Sequence, residues 1–183
     1  ILSTAVLTTA LGISSAQAGV NNITIGTNPS GSTFYLLGGG FSKLFQEKLR
    51  IRSSAQPFAG SSAYLPMINS GELTLGIANT VDTDMAYNGR DEFPEKMQNL
   101  RTLANIWVIP YAYITRADSG ILTADDLAGK RVMGDIPAAV ALTRINEAIL
   151  KSGGLELKDV DFMRSGGLMD GISAVVEGRA DAA

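Results

Sequence analysis

The sequence predicts an α/β protein with parallel-rich sheets, and three observations carry that expectation. Short β-prone runs alternate with amphipathic helical patterns along the chain, as in a sheet whose strands are joined by helical crossovers. Strand, turn and helix succeed one another three times between positions 23 and 88, and each turn is built from Gly, Ser, Thr or Asn. The 183 residues, 45% hydrophobic and 18% charged, suit one domain or two small lobes with a real core.

The first unit is the clearest. Ile23, Thr24 and Ile25 form a β-prone run, and the loop Gly26-Thr27-Asn28-Pro29-Ser30-Gly31-Ser32 follows. A helical pattern then carries apolar residues at Leu37, Phe41, Leu44, Phe45 and Leu49. The first N–H groups of such a helix lack intrahelical partners, so its start can hold an anion. Three readings of the loop compete. Gly26 and Gly31 have the spacing of a phosphate-binding P-loop, but Ser32 stands where that motif needs Lys. A dinucleotide fingerprint fails because Gly38-Gly39-Gly40 lies inside the helix. An ordinary βα turn with a Ser or Thr cap accounts for the loop alone.

The second unit is a strand over Ile51 to Phe58, the turn Ala59-Gly60-Ser61-Ser62, and a short helix with Leu65, Met67 and Ile68 that breaks at Ser70-Gly71. The third is a strand over Leu73 to Asn79, then a polar exit through Thr80, Asp82 and Thr83 into a helix from Asp84 to Asn88. The charged stretch Gly89 to Asn99 reads as a solvated surface excursion. Leu100 to Arg116 is β-prone and aromatic but broken by Pro110, which predicts two strands and a crossover between lobes. Its Trp107, Tyr111 and Tyr113 are expected in the core or facing a cleft.

Further on, Thr123 caps a short helix ended by Gly129, and a strand starts at Arg131. A longer helix is expected over 138–151, with an apolar face of Val140, Leu142, Ile145, Ile149 and Leu150. A strand over Val160 to Arg164, a helix over Gly167 to Glu177 and a last strand from Gly178 complete the pattern.

Composition excludes several classes of function. The net charge of −3 leaves no basic stripe for nucleic acid. With no His and no Cys, thiol chemistry, histidine base catalysis and the commonest transition-metal ligands are absent, and neither a metal nor a cofactor is implied. Residues 1–18 are uncharged, run apolar from Ala5 to Ile13 and end in Ala16-Gln17-Ala18, the pattern of a secretory signal peptide truncated at its start. Export to the periplasm is therefore expected, with the mature chain beginning near Gly19.

Four blocks taken in order resemble the TAXI family of solute receptors of tripartite ATP-independent periplasmic (TRAP) transporters. They are ITIGTNPSGSTFYLLGGGFSKL, AGSSAYLPMINSGELTLGIAN, AYNG at Ala86 to Gly89, and LRTLANIWVIPYAYITRADSGILTADDLAGKRV. The resemblance implies a type II periplasmic-binding-protein fold with lobes at 19–107 and 108–183, the second incomplete. It implies a non-enzymatic receptor that closes on a small anionic solute, such as glutamate or a dicarboxylate, and hands it to a TRAP membrane permease. Carried over residue by residue, the ligand-binding positions are Thr27, Ser32, Thr33, Phe34, Tyr35, Gly60, Ser61, Ser62, Asn79 and Asp82. Helix-start N–H groups and hydroxyls would hold a carboxylate, Phe34 or Tyr35 would wall the apolar part, and Asp82 would meet an ammonium group or else act as a cap.

The second lobe departs from the family pattern. Its turn, Asp135-Ile136-Pro137-Ala138-Ala139-Val140, lacks the usual hydroxyls, which leaves backbone donors at Ala138 and Ala139, with Thr143 a turn further in. That points to a more apolar or differently charged solute. Arg144 and Arg164 are candidate cations or plain surface residues. The competing reading is a doubly wound α/β enzyme that binds a phosphorylated ligand at the first helix, with Asp82 or Asp135 as acid or base. Against it stand the missing Lys and His and the lack of a paired-carboxylate motif among apolar residues.

Overall fold

Alternation of strands and helices does produce parallel sheets. The computed structural model describes residues 21–183, and the signal-peptide expectation for 1–18 falls outside them. β1 (Asn22–Thr27) lies between β2 (Arg52–Pro57) and β3 (Leu75–Gly76), parallel to both. Helix α1 (Thr33–Leu49) crosses from β1 to β2, and α2 (Ser61–Ser70) crosses from β2 to β3. Helix α3 (Thr80–Asn88) follows β3. A second sheet pairs β4 (Arg131–Asp135) in parallel with β5 (Asp161–Arg164), joined by α4 (Ala141–Ser152) and followed by α5 (Leu168–Val176).

Each sheet buries its own apolar set. Ile23, Ile25 and Ile77 pack beneath Leu37, Phe41 and Phe45 of α1, and a fully buried side chain of this size contributes about 2 kcal/mol. Gly38 is what lets α1 lie close: a Cβ there would sit 3.3 Å from that of Ala55, whereas Gly39 and Gly40 meet nothing. Under the second sheet, Val132, Leu150, Val160 and Ala182 pack with Leu127. On its other side Met133 meets Ala174, Val175 and Ala180. A fourth cluster, of Leu65, Met85, Ala86, Phe93 and Leu100, takes in Val140 from the turn before α4 and so binds the two halves of the chain together.

Several local expectations are corrected. The run Leu100 to Arg116 forms no strand; only Thr115 makes an isolated bridge, to Ala182. Propensity needs a neighbouring strand to act on, and among the described residues none flanks most of this run. The expected last strand is likewise reduced to bridges at Ala182, and β3 to two residues. The stretch 89–99 is not merely solvated: Phe93 is buried, and Asp91 pairs with Arg144. Helix α3 starts at Thr80, earlier than expected, because Asn79 caps it. Helix α4 starts at Ala141, later than expected, because the turn before it is held elsewhere.

Candidate functional site

Ligands of parallel α/β sheets sit beyond the carboxyl ends of the strands. At the end of β1, Thr27 is fully buried, and its hydroxyl donates to the carbonyls of Asn28, 3.1 Å, and Gln56, 3.2 Å. It shapes the loop from within. Ser32 caps α1, its Oγ accepting from the Tyr35 N–H at 3.2 Å. The N–H groups of Thr33 and Phe34, at the first two helical positions, have no intrahelical acceptor. Beside them the Phe34 ring meets Trp107 edge-on, with centroids 5.1 Å apart.

The starts of α2 and α3 are occupied by the turn before α4. The backbone at Gly60 meets that turn so closely that a Cβ there would lie 2.7 Å from the carbonyl carbon of Ala138 and 3.2 Å from Cβ of Ala139. Ser62 N–H donates to the Ala138 carbonyl at 3.2 Å, and Val140 N–H donates to Ser62 Oγ at 3.3 Å. Asp82 is fully buried. Its carboxylate accepts from the Ala141 N–H at 2.7 Å, from Asn79 Nδ2 at 2.8 Å, and from the Ser61 hydroxyl. Asn79 Oδ1 in turn accepts from the Asp82 N–H at 2.7 Å, which closes the cap of α3. Asp82 thus caps α4 from a distance of 59 positions along the chain. Nearby, burial pushes the Tyr64 phenol up, with the Asp82 charge adding to the effect, and its hydroxyl donates to the Ile77 carbonyl.

Beyond β4 and β5 the space is open. A cavity of about 480 Å3 is lined by Pro137, Ala138, Arg164, Ser165 and Gly166. A register irregularity between Met133 and Asp135 sets Asp135 opposite Arg164, and Ser165 N–H donates to the Asp135 carbonyl at 2.9 Å. Ser165 Oγ ties down the turn through Gly167, donating to its carbonyl at 2.6 Å. Arg164 is exposed at this mouth, whereas Arg144 is paired with Asp91 and Glu147. Ala139 sits in the α4 turn, its N–H donating to the Ile136 carbonyl, and Thr143 N–H turns back to Val140. Pro137, Ser165 and Gly166 are additions to the positions expected from sequence. The Ser-Gly-Gly turn before α5 is the signal that points to them, being of the same kind as Gly60-Ser61-Ser62. Tyr111 and Tyr113 do not reach this mouth: Tyr111 donates to Asn146 Oδ1 at 3.1 Å, and burial pushes its phenol up.

A model of the NMT1-like family matches residues 25–183. The chain belongs to the NMT1-like family. Among solved structures, this NMT1-like protein is similar to the alkanesulfonate-binding protein SsuA from Xanthomonas axonopodis pv. citri bound to MOPS. The TM-score is 0.63 at 21% identity, over 88% of this chain and 53% of the other. PhnD1 from Prochlorococcus marinus in complex with methylphosphonate gives 0.63 at 15% identity, over 88% and 62%. The substrate binding protein of an amino acid ABC transporter gives 0.56 at 15%, over 88% and 68%. The likeness is one of fold, the type II periplasmic-binding-protein architecture, and the chain spans 53% and 62% of the first two proteins.

Proposed function

We propose that this protein is an extracytoplasmic solute receptor that captures a small organic anion between two lobes, 19–107 and 108–183, and delivers it to a membrane permease. The observation that carries the reading is the cavity of about 480 Å3 at the carboxyl ends of β4 and β5, with Arg164 at its mouth. That volume suits a metabolite-sized ligand. Arg164 offers charge-assisted hydrogen bonds to a carboxylate, sulfonate or phosphonate, and the N–H groups at the start of α1 add oriented dipoles. Phe34 and Trp107 supply an apolar wall near that start. A receptor needs only such binding groups.

The resemblance to TAXI receptors favours a TRAP permease, and the likeness to a protein named as part of an amino acid ABC transporter favours an ATP-driven one. Transport into vesicles that carry the cognate permease separates them: uptake without ATP marks the first, and strict dependence on ATP the second.

Ligand binding is tested by thermal shift of the full-length mature protein against amino acids, dicarboxylates, 2-oxo acids, alkanesulfonates, phosphonates and nucleotides, since a ligand specific to the folded state raises Tm. A shift with a small organic anion is expected. Arg164→Ala should weaken that binding roughly ten- to a hundredfold, the worth of a hydrogen bond to a charged group. A shift with nucleotides alone, or turnover of any compound, would establish the enzyme reading instead.

A further inference from the structure

We infer that the solute carries a positive group beside its negative one: Arg164 and Asp170, on either side of the turn Ser165-Gly166-Gly167, hold the two ends of an amine-bearing organic anion. This rests on the receptor reading above and sharpens it, replacing "small organic anion" with a zwitterion of the amino-acid kind and turning away from plain dicarboxylates.

Arg164 and Gly166 both line the cavity of about 480 Å3. Asp170 lies against the same turn, its Oδ2 only 2.8 Å from where a Cβ on Gly166 would stand. The glycine thus leaves the carboxylate uncovered where any other residue would meet it. Arg164 and Asp170 are both exposed, and among the described residues neither makes an ion pair, with the other or with a third group. On the same sheet Arg131 does close on Asp181, at 2.8 Å. Two opposite charges that border one opening without meeting leave their hydrogen bonds to a ligand that can satisfy both. The start of α5 adds nothing to the anion seat: Gly167 N–H donates to Ser165 Oγ at 3.2 Å, and Asp170, in the first turn, answers the positive end of the helix. Asp135, opposite Arg164 in the register, brings a second carboxylate to this edge. With two carboxylates to one guanidinium the edge is net negative, which disfavours a bare anion and favours a solute that brings its own cation.

The test uses the full-length receptor, wild type, Asp170→Asn, Gly166→Ala and Asp135→Asn, titrated calorimetrically with butanoate, 2-aminobutanoate and 4-aminobutanoate. These share a four-carbon chain and differ in the presence and position of an ammonium group. The wild type should bind one of the amines about tenfold or more tighter than butanoate, the worth of a charge-assisted hydrogen bond. Asp170→Asn should remove that gain and leave butanoate within about threefold. Gly166→Ala, which pushes the carboxylate aside without removing it, should lose at least half of the gain, and it decides the matter if Asp170→Asn does not fold. An unchanged amine preference in Asp170→Asn overturns the inference even if Tm falls, since Asp170 then serves only the dipole of α5. Loss of the preference in Asp135→Asn but not in Asp170→Asn overturns it as well. Where none of the three probes binds, the solute found in the thermal-shift screen takes their place: an amine-bearing solute weakened about tenfold by Asp170→Asn supports the inference, and one that is unaffected overturns it. A tightly bound solute without an amine overturns the inference and leaves the receptor reading standing, whereas a receptor that binds no compound at all overturns both.

Discussion

The starts of α1 and α4 occupy equivalent places, each past the carboxyl end of a parallel strand, and they are finished in opposite ways. Helix α1 is capped by its own neighbour, with Ser32 Oγ accepting from Tyr35 N–H, and the N–H groups of Thr33 and Phe34 have no acceptor within the helix. Helix α4 has no capping side chain of its own. Its turn and first N–H groups are taken up by Ser62 and Asp82, which lie in the first turns of α2 and α3. A locally capped helix start remains available to a ligand, whereas one capped from across the molecule becomes a joint. The same residue types, small and hydroxylic, serve both ends, so the difference lies in what the fold brings opposite them.

Breaking the joint should have the largest effect. Gly60→Ala places a methyl group into the backbone of Ala138, which has no flexible end to swing aside. The backbone at Gly60 is extended, with φ 176°, so the penalty comes from the collision and not from the dihedral angle. Overpacking of this kind costs about 2–3 kcal/mol. Urea denaturation should show that loss, and the amide resonances of 138–141 should move with it. A Gly60→Ala protein as stable as the wild type would mean that the two halves do not meet at this point in solution.

Removing one donor from the joint is a milder operation. Ser61→Ala deletes the hydroxyl that donates to Asp82 and leaves the Ala141 and Asn79 bonds in place. A hydrogen bond to a charged group contributes about 1.5–3 kcal/mol, so a loss near 2 kcal/mol is expected. A double-mutant cycle with Asp82→Asn should show strong non-additivity, because both changes act on the same contact.

How far the sequence discloses this contrast follows from its range. The cap of α1 is local, spanning Ser32 to Tyr35, and Ser followed by a periodic helix announces it. The units β1-α1, β2-α2 and β4-α4-β5 are legible for the same reason, since the period of their apolar residues is written within each. Asp82 and Ala141 lie 59 positions apart, and no pattern in either segment names the other. Sequence reasoning could place Asp82 at a helix start but not say that the helix it caps is α4. The run 100–116 fails for a related reason. Its aromatic and β-branched residues favour strand, but a strand is a relation between segments, and among the described residues its main contacts are side chains, such as Trp107 on Phe34 and Tyr111 on Asn146.

The sharpest use of the comparison is the smallest change, at Ser32. The sequence offers Ser32 as a ligand-binding hydroxyl, and its oxygen accepts from the Tyr35 N–H while its O–H is still able to donate. Two roles therefore make different predictions for Ser32→Ala. As a cap, its loss should cost about 1 kcal/mol of stability, and Ser32→Gly only a few tenths. Solute affinity should stay within about twofold in both if the start of α1 binds through the N–H groups of Thr33 and Phe34. As a direct ligand donor, Ser32 would show the reverse, with affinity falling about tenfold for a stability change near zero. Measuring Tm and solute affinity on the same two variants places Ser32 in one class, and with it decides whether the open start of α1 works through its backbone alone.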